Sequence, residues 1–190
     1  MYEITMKRIN SRPYLMLKPI VVIGAVVDGK PNFMTIADII ATGRRILRFG
    51  ISSRKPHYTN KGIIENETFS VNIPSQKMIV KTDYCGIVSG QEVDKSGGFD
   101  VFYGEELKTA PMIEEAPITH ACKLVKTIDF GDTHYLFIGE VVETYINEDC
   151  LADERPDIKK VKPITFFQDY WIVGEKFAEA YKIGKEFKKK

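Results

Sequence analysis

Between Ser52 and Thr59 the chain gathers three hydroxyls (Ser52, Ser53, Thr59), two permanent cations (Arg54, Lys55) and His57. Arginine presents a planar fork of donors matched to a phosphate, and lysine adds a compact point charge. A dianionic phosphate leaving water needs several such donors to offset its desolvation. The same residues would equally make a solvated loop ending in a helix cap. The surrounding elements must choose between the two readings.

Those elements suit an anion site. An alternating stretch over 46–51 predicts a strand leading into the loop, and a short helix over 60–65 follows. A helix start offers unpaired N–H groups and the positive end of its dipole. A second strand is predicted over 69–73. Upstream, residues 19–27 are β-branched or small, interrupted only by Gly24 and Ala25, which predicts a strand buried on both faces. Asp28-Gly29 is a turn, and 32–36 is the returning strand. Residues 38–43 are ambiguous, with Ile39-Ile40-Ala41 fitting a helical turn.

Downstream, Pro74-Ser75-Gln76 predicts a helix start, Met78-Ile79-Val80 its apolar face, and Tyr84-Cys85-Gly86 its end, with Gly86 as the cap. Residues 89–98 read as a loop with room for a short helix, 99–103 as a weak strand, and 111–117 as an acidic connection. Two long strands over 119–129 and 134–145 are joined by Phe130-Gly131-Asp132-Thr133. Residues 1–17 predict a lead-in strand or loop. Many short strands with few helices predict a mainly β fold, a barrel closed to avoid open edges. A charged, Pro-broken stretch over 153–162 separates this domain, 1–162, from an extension over 163–190. The extension opens with the aromatic run Thr165-Phe166-Phe167-Gln168-Asp169-Tyr170-Trp171. Helical spacing over 175–190 then aligns Phe177, Tyr181 and Ile183, and the chain ends in three lysines, read as a solvated helix face.

Composition bounds the function. The 190 residues are 44% apolar and 28% charged, as in a soluble globular domain, and the net charge of +1 gives no field that would attract nucleic acid or an anionic membrane. That charge argues against an oligonucleotide-binding barrel. Cys85, Cys122 and Cys150 form neither an even set nor a C-x-x-C pair, which suits a reducing compartment and predicts a cytoplasmic protein. No run of 18 apolar residues predicts a membrane span. No H-x-x-x-H, C-x-x-C or carboxylate cluster predicts a metal, and no G-x-G-x-x-G predicts a Rossmann unit. His120 and His134 read as structural.

The order of these features resembles the flavin reductase-like, FMN-binding split-barrel family, the group that includes flavoredoxin. The likeness spans residues 15 to 145. It rests on the 19–29 strand and turn, Asn32 with Met34-Thr35-Ile36-Ala37, the Ser52–Thr59 loop, the I-x-E-N-x-T-F-x-V-N continuation, Asp83-Tyr84-Cys85-Gly86-Ile87-Val88-Ser89-Gly90 before Asp94-Lys95, and Phe137-Ile138-Gly139-Glu140-Val141. Asp38 and Arg44-Arg45 depart from the family pattern of an aromatic and a Pro pair.

The resemblance implies a split β-barrel with a few short helices, FMN as cofactor, and a homodimer with flavin sites near its interface. Ser52, Ser53, Arg54, Lys55, His57, Tyr58 and Thr59 are implied to hold the phosphate and ribityl chain. Asn32 and the backbone of Met34, Thr35, Ile36 and Ala37 are implied to edge the isoalloxazine, with Asn72 also near the ring. Tyr84, Cys85, Gly86 and Ser89 are implied to form the second wall. Cys85 reads either as a redox thiol or as a buried structural one. The flavin carries the chemistry, so no catalytic residue is expected. The implied activity is an oxidoreductase taking electrons from NAD(P)H or a redox protein, or an electron carrier without a substrate of its own. The aromatics of 166–171 fit core, dimer interface or a lid over the flavin.

Overall fold

The computed structural model describes residues 6–8, 14–43, 45–131 and 133–187. Most of the expected lead-in over 1–17, Arg44 and the three terminal lysines lie outside the described residues.

The fold grows from strand β2 (Val21–Val27), which pairs with β3 (Lys30–Ile36) through Asp28-Gly29, both at positive φ. Alternation along β2 feeds two apolar layers. Val21, Ile23 and Ala25 point into a central core with Met34, Ile36, Ile51, Phe69, Val71, Cys122 and Phe137. Val22 points the opposite way, into a second layer with Phe33, Met78, Cys85 and Phe99. The expectation of a strand buried on both faces is therefore met.

Around β2 runs one seven-stranded antiparallel sheet. Its further strands are β4 (Ile39–Thr42), β5 (Arg48–Arg54), β6 (Thr68–Ile73), β9 (Ile118–Asp129) and β10 (His134–Ile146), in the order β3-β2-β6-β9-β10-β5-β4. The sheet curls so that β3 and β5, near its opposite ends, share one core. No strand pairing joins β3 to β4 or β5 among the described residues, which leaves the split that the resemblance implies. The short strands β7 (Val101–Phe102) and β8 (Met112–Ile113) pair with each other. Helix α1 (Thr59–Asn66) packs on β2, and α2 (Ile79–Ile87) packs on β3.

Several local expectations are corrected. Ile39-Ile40-Ala41 is strand β4, in register with β5 (Ile39 opposite Ile51), because pairing and burial of Ile39 on the core override a weak helical pattern. Gly86 is not a cap: α2 continues through Ile87, and Val88 turns the chain extended. The acidic 111–117 connection contains β8.

Beyond the barrel, β11 (Leu151–Ala152) and β12 (Arg155–Pro156) form a small hairpin before α3 (Ile158–Val161). Strand β13 (Ile164–Phe167) then pairs with β1 (Lys18–Pro19) on one side and β14 (Asp169–Ile172) on the other. The helix expected over 175–190 is absent from the described residues. Residues 173–179 have no regular structure, and Ile183–Glu186 form a single 3-10 turn. Phe177 and Tyr181 are 100% and 91% exposed, so the helical spacing has no surface to bury against, and a short isolated helix is not stable alone.

Candidate functional site

The loop after β5 is held from within. Ser53 is fully buried, and its hydroxyl donates to Asn60 Oδ1 (2.6 Å) and lies 3.0 Å from His57 Nδ1. Asn60 Nδ2 donates in turn to the Arg54 and Lys55 carbonyls (2.8 and 3.3 Å). Buried Thr59 accepts from Asn32 Nδ2 at 2.8 Å, tying the start of α1 to β3. These bonds fix the backbone of 54–59 and orient the His57 ring. Asn60 is the organiser of the loop and was not among the expected site residues; an amide side chain at the first position of the predicted helix, seven residues after a loop serine, was the available signal.

The loop forms one wall of a cleft of about 340 Å³. Arg54, His57, Tyr58 and Thr59 stand on that wall, Met34 and Thr35 of β3 form the floor, and Cys85, Gly86 and Ser89 line the opposite side. Nine of the sequence-predicted site residues thus meet in one place. Lys95 joins them from below.

The floor is an open strand edge. Phe33's carbonyl faces outward, where it accepts from Lys95 (2.7 Å). Residues two apart on a strand direct their backbone groups to the same side, so Thr35 presents its N–H and C=O along the same free edge. That edge offers a donor and an acceptor side by side. The Thr35 hydroxyl is engaged elsewhere, donating to the Thr82 carbonyl.

The charge in the cleft is positive. The Arg54 side chain is exposed and makes no hydrogen bond or ion pair among the described residues. Burial first, then the charges of Arg54, Lys95 and His134, push the His57 pKa below its ordinary 6.5. Burial pushes the Cys85 thiol up, which keeps it protonated. A protonated thiol is a poor nucleophile, so the ionisation state fits the structural reading of Cys85.

A glycine shapes the far wall. A Cβ on Gly90 would come within 2.2 Å of Asn32 Oδ1 and 2.8 Å of the Tyr58 ring, so only glycine lets this loop close on β3. Gly86 has no such constraint, since a Cβ there would meet Thr35 at an ordinary 3.5 Å.

The other predicted residues lie elsewhere. Lys55 turns away to Asp129 (2.7 Å) and lies over the Tyr135 ring (4.9 Å). Ser52 and Ala37 line a separate groove with Leu15, Leu17, Ile40 and Leu136. Ile36 is in the barrel core, and Tyr84 is 44% exposed away from the cleft. Asn32 lines a neighbouring pocket that shares Tyr58, Gly90 and Lys95 with the cleft. Asn72 is fully buried, donating to Val22 O and Ser70 Oγ (2.9 Å each) and accepting from Ile113 N (2.9 Å). Those bonds pin β6, β2 and β8 together and leave the Asn72 side chain away from the cleft.

The residues present fit a flavin mononucleotide. An unpaired guanidinium beside His57 suits the phosphate, and a free strand edge suits the polar rim of a pyrimidine. The comparisons point the same way. The flavin reductase like domain matches residues 14–169. A flavoredoxin from Methanosarcina acetivorans is 42% identical, with a TM-score of 0.93 over 96% of this chain and 99% of its own. A flavoredoxin of Desulfovibrio vulgaris (Miyazaki F) is 33% identical, with a TM-score of 0.86 over 95% of this chain and 100% of its own. An uncharacterized Archaeoglobus fulgidus protein is 29% identical over 136 residues, 70% of this chain and 76% of its own.

Proposed function

Because the chain belongs to the flavin reductase-like family, we propose that the cleft between the β5–α1 loop, the β3 edge and the end of α2 holds FMN, and that the protein passes electrons or a hydride through it. The observation that carries this reading is the juxtaposition of the unpaired Arg54 and the free Thr35 edge in one cleft. Bound FMN supplies the redox chemistry. Arg54 and His57 hold the phosphate, Thr35 offers its backbone to the pyrimidine edge, and Met34, Cys85 and Gly86 exclude water from the ring. Lys55 takes no part, since Asp129 engages it.

Two roles follow from such a site: a reductase using NAD(P)H, or a carrier exchanging electrons with a protein partner. The likeness to two flavoredoxins favours the second as a genuine rival. Steady-state oxidation of NADH and NADPH by the FMN-loaded protein, with free flavin or a ferric chelate as acceptor, separates them. Turnover establishes the reductase. Absence of turnover, with fast reduction by a low-potential iron–sulfur protein, establishes the carrier.

The protein acts as a homodimer in this reading. The groove beside β4 is apolar and open: Leu15, Met16, Leu17 and Ile40 are each more than half exposed around it. Apolar surface gathered at a sheet edge is the kind of patch that a second copy covers. Its three cysteines, buried and unpaired, suit the reducing cytoplasm.

A further inference from the structure

Lys95 is the one charged residue counted as buried among the described residues, at 5% exposure. Its ammonium donates to the carbonyls of Phe33 (2.7 Å), Val88 (2.9 Å) and Cys85 (3.3 Å), joining the β3 edge to the end of α2 and the loop beyond. No carboxylate pairs with it among the described residues. Asp94, its neighbour in the chain, turns instead to Lys30 (2.8 Å). A cation withdrawn from water without a counter-charge costs several kcal/mol. Only an ammonium brings three donors to three carbonyls, so the brace requires this side chain, and its charge comes with it to the edge of the cleft.

The three donors of an ammonium are all engaged here. Lys95 therefore has no hydrogen bond left for a cleft ligand and acts on one through its field. That field falls on the floor of the cleft, where Phe33 and Thr35 share the open edge. In a water-poor site a unit charge acts several times more strongly than at the surface.

Resting on the FMN reading above, we propose that Lys95 sets the redox preference of the cleft, raising the potential of the bound flavin by favouring its more negative, reduced form. Reduction by two electrons with one proton adds one net negative charge to the ring. The electrons come from a reduced pyridine nucleotide or an iron–sulfur centre, and the proton comes from the hydride or from solvent. Burial lowers the Lys95 pKa, so a negative charge beside it also relieves the penalty on the ammonium.

The test is the midpoint potential of FMN bound to the wild-type, Lys95→Met and Lys95→Arg proteins, measured by spectroelectrochemistry with mediator dyes. Lys95→Met should hold reduced FMN at least about tenfold less tightly relative to oxidised FMN, a fall of about 30 mV for a two-electron couple. Lys95→Arg, which keeps the charge, should stay within about threefold, or about 15 mV. An unmoved potential in Lys95→Met overturns the proposal and leaves Lys95 a brace. The wild-type protein gives a second arm that no folding defect can remove. Its bound FMN should lie at or above the potential of free FMN, and a value well below it overturns the proposal. A wild-type protein that takes up no FMN overturns the cofactor reading itself, and this is seen before any potential is measured.

Discussion

At the scale of single residues, the cleft makes separable demands on charge. Arg54→Ala should weaken FMN binding by about 1.5–3 kcal/mol through loss of a charge-assisted contact, while riboflavin binding hardly changes. Isothermal titration with both flavins checks this, and an equal loss for both would mark Arg54 as a loop residue only. His57 gives a pH signature. Its folded pKa lies below 6.5, so the unfolded chain takes up the proton first as pH falls. Stability is complete above 6.5 and is lost as pH drops from there toward the folded value. A phosphate in the cleft offsets Arg54 and Lys95 and draws the His57 pKa back up, so FMN should shrink this loss. Thermal melts across that range, with and without FMN, read it out, and parallel curves would place the phosphate elsewhere. Arg54, His57 and Thr59 were legible because hydroxyls and cations crowd one loop. Lys95 and Asn60 were not, since their importance lies in burial and in partners distant along the chain, such as Phe33 for Lys95. Lys55 looked equal to Arg54 in sequence; only the pairing of β10 with β5 brings Asp129 within its reach.

At the scale of elements, strands with strong alternation and clear turns could be read directly, as β2 with β3 and β9 with β10 show. The failures share one physical cause. Ile39-Ile40-Ala41 became a strand, and 175–187 failed to become a helix, because partners remote in sequence decide weak local patterns. The two cleft glycines give an element-level test. Gly90→Ala forces the loop away from Asn32 and Tyr58 and should cost about 1–3 kcal/mol of stability through overpacking, with a loss of FMN affinity. Gly86→Ala, inside α2 with only an ordinary contact for its Cβ, should hold the melting temperature or raise it by a few degrees, since alanine favours a helix over glycine by roughly 0.5–1 kcal/mol. Equal behaviour of the two variants would mean that the 88–95 loop is not fixed as described.

At the scale of the whole molecule, the extension is bound to its own barrel and still leaves apolar surface uncovered. Ile20 N donates to Ile164 O (3.3 Å), β13 pairs with β1, and Tyr170 Oη donates to Asp83 Oδ1 (2.6 Å) on α2, so the β13–β14 hairpin braces the helix that lines the cleft. Trp171, Ile172 and Phe177 nonetheless remain 51%, 68% and 100% exposed. Covering each large apolar side chain is worth roughly 1.5–3 kcal/mol. Truncation after Ile172 keeps the hairpin and should lower dimer content in sedimentation velocity. An undiminished dimer would exclude Phe177 and the rest of 173–190 from the proposed interface and leave it to Trp171, Ile172 and the β4 groove. The split barrel and its antiparallel strands were legible as a type of fold. Which faces stay open was not, because exposure depends on how the sheet curls. In the proposed site the phosphate supplies the grip on the flavin. Titration of the purified protein with FMN and with riboflavin, followed by visible absorbance, measures that grip most directly. One FMN per chain should bind, at least about tenfold (about 1.4 kcal/mol) more tightly than riboflavin; equal affinity for the two, or no bound flavin, would contradict it.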